Sequence, residues 1–214
     1  MTFQNMSQLQ DLFRVGPENP ITLRAIGGGA VENLMFAAQT YPSVDDRWAA
    51  FAVEAERLNS AGYNIYTCLN PIKPEFAGVA VSDNDISCRR LLLIDLDRAG
   101  SPKVPATDDE IRLAFDVSEN IQAWFEEREG VVPTRALSGN GIHLYYQLDD
   151  LPNDDTSHMA CKALLSTLAA TFDTSEVKVD KVVHNASRIT KVPGTKAYKG
   201  QAGPDRPYRT AVIL

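Results

Sequence analysis

Hydrophobic and polar positions follow two rhythms along the second half of the chain. From Arg90 to Leu96 the run is almost wholly apolar, the pattern of a strand buried on both faces. Ile142–Leu148 instead alternates: Ile142, Leu144, Tyr146 and Leu148 share one face, while His143, Tyr145 and Gln147 share the other. Between these segments, Thr107-Asp108-Asp109-Glu110 is a capping-box signature. Ile111, Ala114, Ser118, Ile121 and Trp124/Phe125 follow it at helical spacing. Thr134–Leu137 reads as a further strand, joined to Ile142–Leu148 by a Ser-Gly-Asn-Gly turn. A second helix is expected to open at Asp155 or Thr156, with Met159, Ala163/Leu164, Leu168 and Phe172 as its core stripe. Val177–Val183 and Arg188–Val192 supply extended segments. The order β-α-β-β-α-β predicts an α+β fold with a ferredoxin-like sheet, helices on one face and the other face free for a site.

The first half is less regular. Residues 3–14 read as a short amphipathic helix and Ile21–Ile26 as a strand, which Gly27-Gly28-Gly29 interrupts. This triplet lacks the Lys-Ser/Thr or the spaced glycines of a phosphate loop. Val44–Leu58 predicts a helix with Asp45 and Asp46 near its start and Gly62 beyond its end. Asn64–Leu69 is rich in β-formers, and residues 70–88 form a Pro- and Gly-containing loop. The expected organisation is an N-terminal α/β module over 1–88 and a sheet module over 89–214, together one domain.

Composition adds little to this picture: 44% hydrophobic and 23% charged residues are ordinary for a globular protein. No apolar run approaches a membrane span and no signal-peptide pattern opens the chain, so a cytoplasmic protein with no membrane partner is expected. Cys68, Cys88 and Cys161 are too widely spaced for a zinc pattern or a disulfide framework. The net charge of −7 argues against a nucleic-acid partner until its distribution is considered. Beyond residue 175, eight Lys and Arg residues face only Glu176, Asp180 and Asp205, a basic stretch that suits either a phosphate backbone or an ordinary surface.

The candidate chemistry begins where the apolar strand ends. Asp95 and Asp97, two apart on a strand, point to one face, and a buried pair of anions is costly unless a cation neutralises it. Oxygen-only ligation suits a hard divalent ion. In a β-α-β-β sheet the first and third strands are usually neighbours, which brings His143 across from the Asp95 end. Ser138 and the N–H groups of Gly139, Asn140 and Gly141 come with it, where a phosphate approaches closely. His143 suits a phosphate oxygen better than a metal, because no second His or Cys stands at ligand spacing. Asp180, set among valines, repeats the logic of the pair and would let the site hold two divalent ions. Arg188 offers a planar fork for a triphosphate, with Lys191 as a further positive charge and Asn185 as a sugar or phosphate contact.

Taken together, three segments resemble the three motifs of the archaeo-eukaryotic primase superfamily, specifically its primase-polymerase branch of phages, plasmids and mobile elements. LLLIDLD is similar to the first motif, SGNGIH to the second and VDKVVHNASRITKVPGT to the third, in the right order from Arg90 to Thr195. ITLRAI and NIYTCLNP resemble that branch's N-terminal module. The resemblance implies an α/β module packed on a sheet like an RNA-recognition module, with the site between them. It implies Asp95, Asp97 and Asp180 as catalytic, metal-binding carboxylates for Mg²⁺ or Mn²⁺. Ser138, His143 and Arg188 would contact the nucleotide's phosphates, with weaker assignments for Lys191, Asn185, Asn70 and Arg24. The implied activity is synthesis or extension of primers from NTPs or dNTPs on single-stranded or primer-template DNA, with a replicative helicase as a partner the family context admits. The Cys/His element of some relatives is lacking, and little sequence follows the third motif, so initiation is a separate matter from nucleotidyl transfer. Two alternatives are a polymerase that only extends primers and a non-catalytic nucleic-acid-binding sheet with Tyr145 stacking bases.

Overall fold

A computed structural model describes residues 6–100 and 103–214. The apolar run becomes the centre of β4 (Cys88–Arg98), and its two faces enter two different cores. Leu92, Ile94 and Leu96 pack with α3 (Asp108–Glu129) and α4 (Asp155–Phe172). Leu91 and Leu93 pack instead with the N-terminal elements. This double burial is why the strand carries no polar alternation.

Two antiparallel sheets result. One has the order β7-β4-β6-β5-β9, where β5 is Thr134–Leu137, β6 Ile142–Pro152, β7 Val177–Val179 and β9 Val212–Ile213. Its first four strands with α3 and α4 make the expected ferredoxin-like unit. The other has the order β2-β1-β3-β8, from β1 (Ile21–Gly27), β2 (Ala30–Phe36), β3 (Asn64–Cys68) and β8 (Ile189–Lys191). Leu23, Ala25 and Ile65 on one face of this sheet pack with Trp48, Phe51 and Ala55 of α2 (Val44–Ser60), and with Leu9, Leu12 and Phe13 of α1 (Met6–Phe13).

Local chemistry sets the helix ends. Thr107 accepts from the Glu110 N–H at 3.2 Å while Glu110 accepts from the Thr107 N–H at 2.8 Å, so the capping box forms as written in the sequence. Ser43 caps α2 through the Asp46 N–H at 3.0 Å, and Asp154 caps α4 through the Ser157 N–H at 2.8 Å.

Several expectations need correction. β2 was not visible in the sequence because it is an edge strand with exposed Ala30, Val31 and Met35 and no clean alternation. In α4 the buried line is Ser157, Cys161, Leu165, Leu168 and Ala169, and Met159 is 58% exposed. The core stripe is thus rotated from the one the apolar residues suggest, since Ser157 and Cys161 are small enough to sit against the sheet. Val177–Val183 is a strand only as far as Val179. Residues 3–5 of the expected first helix lie outside the described residues. The second face of the ferredoxin-like sheet is not free: Tyr145, Leu91, Leu93 and Ala136 are buried in the core shared with α1 and α2. The end of that face near Asp95 lines a cavity.

β8 has a consequence for the site. It follows β7 closely in sequence yet pairs with β3, with Tyr66 opposite Lys191 and Cys68 opposite Ile189. The third motif therefore starts on one sheet and finishes on the other, spanning the cleft between them.

Candidate active site

A cavity of about 440 Å³ opens where the two sheets meet. The ferredoxin-like sheet contributes Asp95, Asp97, Ser138, Asn140 and His143, and the third motif contributes Asp180, Arg188 and Lys191. Of the β1–β3 sheet, the face away from α2 supplies Ile26, Asn64 and Tyr66.

β4 and β6 place Asp95 opposite His143, and His143 Nε2 stands 3.5 Å from Asp95 Oδ1. His143 is 6% exposed, and its ring is set from behind. Nδ1 lies 3.3 Å from both the Tyr145 hydroxyl and Thr190 Oγ1, which are themselves 2.8 Å apart. Tyr145 is therefore a buried support for His143, and cannot stack on a base as the binding-module alternative requires. Burial, with the Asp95 charge adding to it, holds the Tyr145 phenol protonated well above its usual range.

Asp180 lies just past β7. Its N–H donates to the Asp95 carbonyl at 2.8 Å, and its Oδ1 accepts from the Val182 N–H at 2.9 Å. The third carboxylate is thus held by a local turn, not by a strand. Burial and the Asp95 charge, with a smaller push from Asp180, raise the Asp97 carboxyl to about 6 against the attraction of Lys199. Among the described residues, no three or more His, Cys, Asp or Glu side chains are already drawn into a metal-holding cluster. The carboxylates share a cavity and repel one another across it.

The second motif forms a tight turn. Ser138 Oγ donates to the Gly141 carbonyl at 3.0 Å and accepts from the Gly141 N–H at 3.1 Å. Gly139 adopts φ 102°, and a Cβ there would collide with Ala197. A Cβ on Gly141 would collide with the Leu96 carbonyl and approach Asp97 Oδ1. Asn140 Oδ1 accepts the Ala106 N–H at 3.0 Å, which ties the turn to the loop before α3.

On the opposite wall, Arg188 Nε donates to Asn185 Oδ1 at 2.9 Å and Nη2 to the Val182 carbonyl at 3.0 Å. Asn185 therefore aims Arg188 and does not itself line the cavity. Lys191 is 5% exposed and donates to the Lys196 carbonyl at 2.9 Å, and burial pulls its ammonium down to about 7. Two weaker assignments lie elsewhere. Asn70 accepts from the Arg90 and Leu91 N–H groups and donates to the Ala186 carbonyl, bracing β4. Arg24 is on β1 and does not line the cavity.

Sequence reasoning missed Tyr66, Thr190, Tyr198 and Lys199, all of which line the cavity. Only Tyr66 carried a usable signal: on a strand whose Ile65 and Thr67 face inward, it had to face the other way.

The fold has solved counterparts. The chain superposes on the polymerase domain of Mycobacterium tuberculosis ligase D, solved in complex with DNA. The TM-score is 0.53 at 14% identity, covering 97% of this chain and 79% of that one. It also superposes on the catalytic domain of the primase Repb', solved with initiator DNA, with a TM-score of 0.51 at 13% identity over 98% of this chain and 82% of that one. The chain has the primase-polymerase fold. No protein-family profile and no curated protein matches the sequence. In the primase-polymerase fold of this chain the three motif-like segments meet at one cavity. Among the described residues no helix is long and apolar enough to cross a membrane.

Proposed function

We propose that the protein is a DNA-template-directed nucleotidyltransferase, a primase-polymerase that makes or extends primers from NTPs or dNTPs. The observation that carries this reading is the meeting of three sequence-distant segments on one cavity: paired carboxylates on β4, a Ser-Gly-Asn-Gly turn with His143, and a third carboxylate with Arg188. The ligase D polymerase domain and the Repb' primase domain lend support through their shared fold.

The donor set fits a hard divalent cation: three carboxylates line the cavity, and among the described residues neither Asp97 nor Asp180 has an ion-pair partner. Asp95, Asp97 and Asp180 would hold Mg²⁺ or Mn²⁺, which in a two-ion site supplies a lowered pKa for a 3′-hydroxyl and charge neutralisation for the leaving pyrophosphate. The protein's own groups bind and orient the nucleotide. The tight turn of Ser138–Gly141, its glycines packed against Ala197 and the Leu96 carbonyl, sets Ser138 and Asn140 in the cavity lining, and His143, its ring fixed by Tyr145 and Thr190, presents Nε2 beside Asp95. Arg188 Nη1 has no hydrogen bond among the described residues and is available to a phosphate oxygen. An arriving triphosphate favours the charged form of Lys191, whose ammonium burial pulls down to about 7.

Extension of a primed DNA template with labelled nucleotides tests the reading. Wild type should add nucleotides and the Asp95→Ala/Asp97→Ala protein should not; equal products from both would refute the assignment. Initiation is read separately on unprimed single strands, where lasting failure across templates and metals identifies a polymerase that only extends.

A further inference from the structure

The segment after the third motif leaves the core and returns, pairing Lys196 with Thr210 and Gly203 with Arg206. Its free end is knotted to the front of α3: Arg206 meets both carboxylate oxygens of Glu110 at 2.8 and 3.1 Å, and Arg209 Nη1 donates to the Ala106 carbonyl. Much of the basic charge noted in the sequence is thus consumed internally. The arm's first residues are held differently. Asn59 donates to the Lys196 carbonyl and accepts its N–H, each at 2.8 Å. Asn64 grips Tyr198 in the same two-way manner, at 2.6 and 2.8 Å. On the other side Ala197 packs against Gly139 so closely that no side chain fits there.

Two side-chain amides from the N-terminal module and the glycine turn therefore fix Lys196–Tyr198 between the walls of the cavity. A clamp of this kind holds whatever the clamped residue presents. Tyr198 and Lys199 both line the cavity. The Tyr198 ring is backed by Tyr208 in an edge contact, centroids 5.1 Å apart at 71°, and the Tyr208 hydroxyl donates to the Gly200 carbonyl. Ile26 stands opposite Asn64 across the β1–β3 pairing, and Ile26, Asn64 and Tyr198 all line the cavity. Ile26 and Tyr198 give the cavity apolar and aromatic surface beside the charges of Lys199, Asp180 and Arg188.

The geometry points to Tyr198 as the stacking wall for a nucleobase of the bound nucleotide, positioned by Asn64 and backed by Tyr208. This inference rests on the nucleotidyltransferase reading and adds to it the part of the substrate that phosphate-binding groups do not touch. Aromatic faces accept any base, so the platform confers affinity without sequence choice. Tyr198 is a binding residue, and Asn64 a positioning residue acting through it.

Calorimetric titration of the full chain in Mg²⁺, with a dNTP and separately with inorganic tripolyphosphate, tests the proposal. Tyr198→Ala should weaken dNTP binding roughly ten- to a hundredfold and leave tripolyphosphate binding unchanged, while Tyr198→Phe keeps both. Should Tyr198→Ala fail to fold, Tyr198→Leu keeps apolar volume without a ring and carries the same expectation. Equal weakening of both ligands would make the arm merely structural, and no weakening of either would remove Tyr198 from the site. Both results overturn the stacking role alone. A wild-type protein that binds neither ligand overturns the nucleotidyltransferase reading, and the stacking role with it.

Discussion

Glu110 and Asp97 are part-buried carboxylates in the same module, and their surroundings treat them in opposite ways. Burial opposes the ionisation of Glu110, but hydrogen bonds from Arg206 and the Thr107 N–H, with the Arg98 charge, outweigh it and hold the carboxyl down to about 2. Asp97 has Asp95 and Asp180 as neighbours in place of two arginines, and rises to about 6. One carboxylate closes a structural knot between β4, α3 and the C-terminal arm. The other is left short of positive charge at the mouth of a cavity. An unpaired anion that folding alone does not favour fits the ligand-binding role proposed for Asp97.

The largest expected effect lies on the unpaired side. Removing both β4 carboxylates by Asp95→Ala/Asp97→Ala should lower primer extension on the order of a thousandfold or more, since the lost cation stabilisation is worth several kcal/mol. On the paired side, Glu110→Gln should cost about 2–4 kcal/mol in denaturant unfolding at pH 7, because it leaves the buried Arg98 guanidinium without its counter-charge. The folded-state pKa of Glu110 is depressed, so its stabilisation is present above the usual 4.5 and is lost as pH falls toward about 2. Unfolding curves of wild type and variant should therefore converge through that window.

Asp97→Asn should do the reverse. A carboxyl raised from 3.8 to about 6 destabilises the metal-free fold once ionised. The variant should gain about 3 kcal/mol at pH 8 in chelator, with the gain shrinking between pH 6 and 4 as wild-type Asp97 takes up its proton. Activity should be lost in the same variant. The smallest effect is the control: Arg112→Ala, which breaks two solvent-exposed pairs to Asp109 and Asp116, should change stability by about 0.5 kcal/mol or less.

The same contrast explains what was legible in the sequence. β4, the capping box and the Asn-Gly hairpin are written locally, and alternation in Ile142–Leu148 was enough to place His143 across from Asp95. The move of β8 to the other sheet was not legible, because three residues carry no periodicity and only the β3 edge decides their partner. Tyr198 was equally hidden. Its place depends on Asn64 and on the space left by Gly139, each more than 50 residues away in sequence, and on no pattern of its own. In α4 the expected stripe holds at Leu168, with Leu164 and Phe172 packed at the core's edge, and fails at Met159, which stays in solvent while the small Ser157 and Cys161 are buried.

Thermal unfolding with and without Mn²⁺ tests most directly whether Asp95, Asp97 and Asp180 await a cation. Manganese at a hundred times its dissociation constant should stabilise the wild-type fold by about 2.7 kcal/mol and raise its unfolding temperature, and it should leave the Asp95→Ala/Asp97→Ala protein where it was. An equal rise in both proteins, or none in wild type, would contradict the account.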